Sequence, residues 1–395
     1  MSSRSDNASA SEPILLINSL GTGGAERAVA EMAVELRRRG REVHLLSLEL
    51  PPANEALPVP LEVFHLSRMP SSANGIVKLL ALPFLAMRLS GYIARHHVDV
   101  VMSHLFRANA VNILATVLLR SRRRTVAVNH TRLSRLQEEG FQGRISWFLC
   151  RWLYPKADIV ANVSAGAAAE SARLLALPAD RCIVLHDPIN TRAAARAARA
   201  AQPAEAVVGI GRLVDLKRYQ DLIDAFARIA PDFPGLELRL VGDGPCRKAL
   251  ERRASESGIG ERTKFLGTLA DPLSALAGCK AFVSTSGTEG FGMAIVEALA
   301  SGVPVIASDC AYGPREILSP SSDSAHLLEP GSGMELAQYG ILYPVGSVRA
   351  LEGALRALLG DSVLSADLSR KGPLRAADFT IERSAAAYER LLFPA

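Results

Sequence analysis

Cysteine, aromatic residues and long apolar runs are all scarce in this chain. Its 395 residues hold five cysteines, Cys150, Cys182, Cys246, Cys279 and Cys310, odd in number and never spaced as CxxC. That pattern excludes a disulfide framework and a structural zinc site, and it fits reduced thiols used as small core fillers. Aromatics make up 5% and no apolar run reaches ~18 residues, so a membrane-spanning helix is not expected. The segment Met1 to Glu12 has no apolar core and reads as a polar tail, not a secretory signal. No Asp-x-Asp pair occurs anywhere, so a common handle for a catalytic divalent ion is missing.

Apolar residues are 49% and charged residues 22%, the balance of a globular protein whose length suits two α/β domains. Charge is unevenly placed. Residues 1–200 carry 25 Lys/Arg against 16 Asp/Glu, a net of +9, and the remainder carries 20 against 24, a net of −4. Between Arg68 and Lys156 there are 14 basic and 3 acidic residues. Such one-sided basicity steers anions: nucleic acid, phospholipid or diphosphate. No zinc-finger or RNA-binding signature accompanies it, so nucleic acid is not an expected partner.

Two series of alternating strands and helices are visible. The first has apolar runs at Ile14–Asn18, Val43–Leu48, Val98–Ser103, Thr125–Asn129, Ile159–Val163 and Cys182–Leu185. Its first helix is expected from Ala25 to Arg39, with Ala28, Val29, Met32 and Leu36 at helical spacing and Gly40 as cap. Asp187 to Pro203 breaks the pattern and reads as the interdomain connection. A second series follows at Ala206–Gly211, Leu236–Val241, Lys264–Leu266, Ala281–Ser284 and Val303–Ala307. The fold class is therefore α/β, with two Rossmann-like doubly wound domains over residues 13–190 and 204–378, facing a cleft. A helix over about 380–395 is a candidate to pack back on the first domain. Ligands belong at the carboxyl ends of the strands.

The most specific motif is Thr288-Glu-Gly-Phe-Gly-Met-Ala-Ile-Val-Glu297. A strand ends near Ser284, a glycine loop follows, and a helix is expected from about Phe291. The N–H groups of Gly290, Phe291 and Gly292, with the positive helix end, suit a diphosphate. Glu289 just before the helix and Glu297 two turns inside it can accept hydroxyls on either side of that diphosphate, as a sugar nucleotide requires. Either acid alone reads equally as a helix-start charge or a solvated face residue. In Gly209-Ile-Gly-Arg-Leu-Val-Asp-Leu-Lys-Arg218, Arg212 and Lys217 can aim two cations at one diphosphate and stabilise a leaving nucleotide without a metal. Their structural reading is surface charge at a helix start.

Val241–Pro245 and Phe265-Leu-Gly267 are ordinary strand-to-helix turns by chemistry alone. The loop Gly21-Thr-Gly-Gly-Ala-Glu-Arg27 allows close backbone approach to phosphate or sugar, but it lacks the G-x-G-x-x-G spacing of a dinucleotide site. His104 and His130 end first-domain strands, where a lone histidine is more often structural.

The E-x7-E spacing with G-F-G inside it resembles the donor-site signature of family-4 retaining glycosyltransferases, which have the GT-B fold. The resemblance runs from Leu16 to about Pro344. It implies that Glu289 contacts the transferred sugar, Glu297 the nucleotide ribose, and the backbone at Phe265 and Leu266 the base. Arg212 and Lys217, in an element similar to G-R-L-x-x-x-K, are implied as the diphosphate clamp. G-G-A-E-R resembles the members that build bacterial surface glycans, and implies Gly23 and Gly24 as the border of acceptor and donor phosphate. His130 matches a histidine near the reacting sugar, a polar partner of donor or acceptor. In this family retention is usually explained by front-face attack, the donor phosphate taking the acceptor proton. Ser308-Asp-Cys-Ala-Tyr-Gly-Pro-Arg-Glu316 departs from the commonest form, which has a glycine pair before the glutamate. The variant resembles transferases that extend lipid-linked glycans, several with N-acetylhexosamine donors. Its structural reading is a strand-to-helix turn with proline at N1.

Asn74–His97 has nine apolar positions in a row around Pro83, with Lys78, Arg88 and Arg95 nearby, and Arg144–Tyr154 sets aromatics beside arginines. Both suit an interfacial surface on anionic lipid, and both suit amphipathic helices packed on a sheet. The expected function is a hexosyltransferase using a nucleotide sugar, UDP-linked, and a polyprenyl-diphosphate-linked glycan. It would work in the cytoplasm, peripherally on the inner face of the membrane, with no cofactor and no metal. Two alternatives stand beside it: a nucleotide-sugar epimerase on the same two-domain fold, and a catalytically silent sugar-nucleotide or glycan binder.

Overall fold

The structure is a computed structural model and describes residues 12–21, 23–51, 60–119, 123–138, 140–200, 204–269, 271–323 and 325–394. The tail read above falls almost wholly outside the described residues, since these begin at Glu12. The chain divides into two units. Unit 1 runs through Val163, then takes Ala168–Leu185 and the residues from Ser384; unit 2 comprises Ser164–Ala167 and His186–Arg383.

In unit 1 the order is β1 (Ile14–Ile17), α1 (Gly24–Arg38), β2 (His44–Ser47), β3 (Val63–His65), α2 (Gly75–Leu80), α3 (Leu82–His96), β4 (Val100–His104), α4 (Phe106–Leu119), β5 (Arg124–Asn129), α5 (Arg135–Glu138), α6 (Gly140–Leu153), β6 (Ile159–Asn162), α7 (Ala165–Leu175) and β7 (Cys182–Val184). The sheet is parallel throughout, ordered β3-β2-β1-β4-β5-β6-β7. Every residue of β1 and of β4 is buried, as a sheet covered on both faces demands. The stripe Ala28, Val29, Met32 and Leu36 lies in the core. Gly40, at φ +76°, ends α1: its N–H reaches Arg37 and that of Arg41 reaches Leu36, a left-handed cap. The sequence pattern gave no sign of β3, a three-residue strand whose Phe64 stays exposed.

Unit 2 begins with α8 (Thr191–Ala200), which occupies the Ala/Arg stretch read above as the connection. Ala194 in that helix is fully buried. Then come β8 (Ala204–Ile210), α9 (Tyr219–Ile229), β9 (Glu237–Val241), α10 (Arg247–Glu256), β10 (Thr263–Gly267), β11 (Cys279–Ser284), α11 (Met293–Ala300), β12 (Val305–Ser308), α12 (Pro314–Leu318), β13 (Glu335–Ala337), β14 (Gly340–Tyr343), α13 (Val348–Gly360), α14 (Ser362–Ala376) and α15 (Ile381–Leu392), the last continuing into unit 1. Strand order is β10-β9-β8-β11-β12-β14-β13, parallel except for β13 against β14. Those two short strands were not anticipated either. Both units are doubly wound α/β sheets.

All five cysteines are free. Burial pushes the Cys150 thiol up to about 12 and that of Cys279 to about 11, so both stay protonated and act as core fillers. Among the described residues no helix is long and apolar enough to cross a membrane.

A buried ion cluster closes one side of unit 2. Arg315 on α12 meets Asp309 at 2.6 Å and Glu335 on β13 at 2.9 Å, and Asp309 also accepts the Leu328 N–H at 2.7 Å. Removing Asp309 strands a buried guanidinium on a half-exposed partner and orphans an amide. Asp309→Ala is therefore expected to lower unit 2 stability by about 3 kcal/mol, read as a fall in the urea midpoint.

Candidate functional site

At the carboxyl end of β8 the chain makes a single tight turn, Asp215–Lys217, and leaves it through Arg218 at φ +49°. That turn presents Lys217, whose Nζ lies 2.5 Å from Glu289 Oε1. Ser286 Oγ donates to the same oxygen at 2.6 Å. The loop after β11 is stitched to its surroundings by hydroxyls. Thr285 Oγ1 donates to the Lys217 carbonyl at 2.6 Å, and Thr288 Oγ1 to Ala311 at 2.7 Å. Ser308 Oγ donates to the Ser286 carbonyl at 2.6 Å, and the Gly287 N–H to Leu216 at 2.8 Å. A partly exposed ion pair of this kind contributes roughly 1 kcal/mol or less to stability, so its value lies in placement. Glu289 Oε2 has no protein partner among the described residues, which leaves one lone-pair edge open to a hydroxyl. Arg212, just past β8, is exposed and makes no ion pair among the described residues.

α11 starts at Met293, two residues later than expected, behind Gly292 at φ +108°. Glu297 consequently lies one turn into the helix, not two, and it is buried, not on a solvated face. Gly290 and Gly292 lead into this helix, while the Phe291 ring is core, 5.1 Å from His186 and 5.1 Å from Phe379. Only the Phe291 backbone can meet a ligand. A Cβ on Gly313, at φ +102°, would fall 1.8 Å from the Phe291 carbonyl, so α12 needs a glycine there. Pro314 opens α12, in line with the structural reading of the Tyr-Gly-Pro turn. Glu316 is committed to His186 Nε2 at 2.8 Å and to the Ala165 N–H at 2.8 Å. At the end of β10 the register shifts between Phe265 and Gly267, and Leu266 stands out of the ladder, exposed.

In unit 1, His130 follows β5 and His104 closes β4. His104 Nδ1 lies 3.0 Å from His130 Nε2, one nitrogen donating and the other accepting. His104 is fully buried, stacks on Tyr388 at 6.0 Å, and leaves its Nε2 unpaired among the described residues. Thus His130 does not stand as a lone histidine: one of its ring nitrogens is engaged from below. Gly23 caps α1 at φ −71°, a conformation open to any residue, and a Cβ there would fall 2.2 Å from the Glu26 carboxylate. Gly24 is the first residue of that helix.

The basic stretch is thinner than its count. Arg107 and Lys78 are spent on buried Glu49, at 2.6 and 3.2 Å, and Arg132 pairs with Glu138 at 2.7 Å. Arg123 is buried against Thr116. Trp147 packs on the core, and the other three aromatics of α6, Phe141, Phe148 and Trp152, are exposed at 73%, 72% and 50%. Lys156 lies 4.1 Å over the Trp152 ring, and Leu80 and Phe84 on α2 and α3 are exposed as well.

Two family models divide the chain between them: Glycosyltransferase Family 4 over residues 22–193 and Glycosyl transferases group 1 over residues 192–375. The chain belongs to the family-4 glycosyltransferases. One relative is the N-acetylgalactosamine-N,N'-diacetylbacillosaminyl-diphospho-undecaprenol 4-alpha-N-acetylgalactosaminyltransferase of Campylobacter jejuni, 27% identical over 92% of this chain and 94% of that one. Another is the phosphatidyl-myo-inositol mannosyltransferase of Mycobacterium leprae, 28% identical over 87% and 85%. Among solved structures, Anabaena HepE in complex with UDP and glucose has a TM-score of 0.73 at 22% identity, covering 97% of this chain and 100% of that one. Sucrose-phosphate synthase of Thermosynechococcus elongatus has 0.76 at 21%, covering 96% and 98%.

In this glycosyltransferase the motifs assign no role to Thr285, Ser286, Thr288, Ser308 or His186, and they leave His104 as a structural histidine without its partner. The hydroxyl-rich run Ser284-Thr-Ser-Gly-Thr288 was the available signal for the first three; His186 and Ser308 had none. His104 carries a testable charge. Burial, with the neighbouring His130 second, holds its imidazole well below the usual range, so the folded state keeps it neutral. Below about pH 6.5 the unfolded chain takes up a proton that the folded chain refuses, and stability falls as pH drops. The urea midpoint is expected to decline between pH 7.5 and 5.5, with up to about 1.4 kcal/mol lost per pH unit through this group. His104→Gln should flatten that slope, leaving the smaller shares of His44 and His65, which burial also lowers.

Proposed function

We propose that the enzyme moves a hexose or N-acetylhexosamine from a UDP-sugar to a polyprenyl-diphosphate-linked glycan, with retention and without a metal. The product would serve a bacterial surface polysaccharide or glycoconjugate, made at the inner face of the cytoplasmic membrane. The observation that carries this reading is the Lys217–Glu289 pair at 2.5 Å, held at the carboxyl ends of adjacent strands, with Arg212 exposed on the same loop after β8 as Lys217. Glu289 then offers Oε2 to a hydroxyl of the transferred sugar. Lys217 and Arg212 face the diphosphate, where their charge stabilises the departing nucleotide as the glycosidic bond breaks. Gly290, Phe291 and Gly292 add backbone N–H groups at the start of α11, and Glu297 takes the ribose hydroxyls. Phe265 and Leu266 serve the base, Gly23 and Gly24 the acceptor side, and His130 the reacting sugar. With no nucleophile assigned, attack comes from the leaving-group face, a donor phosphate oxygen taking the acceptor proton.

The UDP choice draws on the HepE complex, and the lipid-linked acceptor on the names of the Campylobacter and Mycobacterium relatives. The epimerase alternative draws no support from these relatives. Transfer of radiolabel from UDP-sugars to a bacterial lipid extract, run in EDTA, tests the whole statement. Activity is expected to persist in EDTA; loss there and recovery with Mg²⁺ or Mn²⁺ would overturn the cationic clamp. In the same assay Glu289→Ala should cripple transfer yet leave UDP affinity nearly intact, whereas Glu297→Ala should weaken both by about one to two decades. Equal loss of UDP affinity in the two variants contradicts the assignment.

The acceptor's location puts unit 1 on the membrane. Arg88, Arg144 and Arg151, with Leu80, Phe84, Phe141, Phe148 and Trp152, are exposed on α2, α3 and α6, and Lys156 is exposed just beyond α6. Each cation near an anionic surface contributes on the order of 1 kcal/mol, screened within ~8–10 Å. Co-sedimentation with phosphatidylglycerol vesicles is expected to weaken steeply with salt and to exceed that with neutral vesicles throughout. Indifference to lipid charge points to a soluble acceptor.

A further inference from the structure

The base end of the donor site holds a residue that no motif singles out. Arg247 opens α10, beside the carboxyl ends of β9 and β10. Its guanidinium is fixed along three edges: Nε donates to Glu251 at 2.9 Å, Nη1 to Asp243 at 2.9 Å, and Nη2 to the Phe265 carbonyl at 3.3 Å. Asp243 is itself held by the Gly244 N–H at 2.7 Å. Three of its five N–H groups are engaged in this way, which fixes the orientation of the plane while 32% of the side chain stays exposed. The two carbonyls flanking Leu266 are both taken, that of Phe265 by Arg247 and that of Gly267 by the Gly242 N–H at 2.8 Å.

Strand order sets the scale. β8, β9 and β10 are neighbours, so at ~4.8 Å per strand the end of β10 lies ~10 Å from the turn that carries Arg212 and Lys217. A ribose bridges about that span between a diphosphate and its base. A flat cation whose plane is held by three hydrogen bonds can offer its face to a ligand, and an aromatic heterocycle is the partner suited to that face.

We propose that the Arg247 guanidinium is the platform on which the nucleobase of the donor stacks. This rests on the diphosphate assignment made above for Arg212 and Lys217. Stacking on a face tolerates any base, so discrimination between bases falls to the out-of-register backbone of Leu266.

The test uses the full chain and two probes, UDP and inorganic diphosphate, in calorimetry and in ultraviolet difference spectra of the uracil band. Arg247→Lys keeps the charge and loses the plane; Arg247→Ala loses both. Both variants should bind UDP about tenfold more weakly and lose the hypochromic change, while affinity for inorganic diphosphate shifts by less than about twofold. A Lys variant that binds UDP like the wild type, with the same spectrum, overturns the proposal alone. Equal weakening for both probes also overturns it, since Arg247 would then be a phosphate cation or a scaffold. A wild-type chain that binds neither probe overturns the donor reading, and this inference with it.

Discussion

Parallel strand pairing is the constraint from which the rest follows. A parallel ladder needs a crossover for every strand, the crossovers are mainly helices, and the helices bury the sheet on both faces. In each unit this gathers the carboxyl ends of the strands along one edge. In unit 2 residues far apart in the chain, Lys217 after β8, Glu289 after β11 and Ala311 after β12, become neighbours there. The core lies in the strands and their covering helices, which leaves the loops at that edge to carry chemistry.

Those loops are nonetheless tightly tied. Between Thr285 and Glu289, hydroxyls and amides bind the loop both to the turn at Leu216 and Lys217 and to the end of β12. The carboxylate that receives the sugar in the proposed mechanism sits on a preformed frame, not a mobile arm. Preorganisation of this kind is what electrostatic stabilisation of a leaving group requires, because the dipoles need not reorganise as charge develops. Phe291 performs a separate task, its ring anchoring the glycine loop in the core so that only backbone faces outward.

Most of the fold was legible because buried parallel strands announce themselves as short apolar runs, and eleven of these matched β1, β2, β4 to β7 and β8 to β12. β3 and β13 escaped, being three-residue strands at the edges of their sheets, and so did the short, buried β14 between β12 and β13. The Ala/Arg stretch looked like a connection because its charges mask an apolar stripe, yet Ala194 is buried. At the site, Glu289 and Lys217 were each singled out by their own motif, but their direct pairing was not anticipated, because it depends on β8 and β11 being neighbours. The ties made by Ser286, Ser308 and His104 were not legible, since a hydroxyl or an imidazole gains its partner only from three-dimensional packing. Charge counting misled in unit 1, where Glu49 neutralises two of the cations and Thr116 hides a third.

The assignment of Ser384 onward to unit 1 bears on how the protein is made. Tyr388 stacks on His104, and Glu389 pairs with Arg39 at 2.8 Å, so the last turns of α15 complete a unit that otherwise ends at Leu185. A ribosome must translate all of unit 2 before it supplies those turns. Unit 1, although most of it precedes unit 2 in the chain, leaves His104 and the end of α1 uncovered until α15 has been made. Completion of unit 1 thus follows translation of unit 2, which lies between its first and last segments.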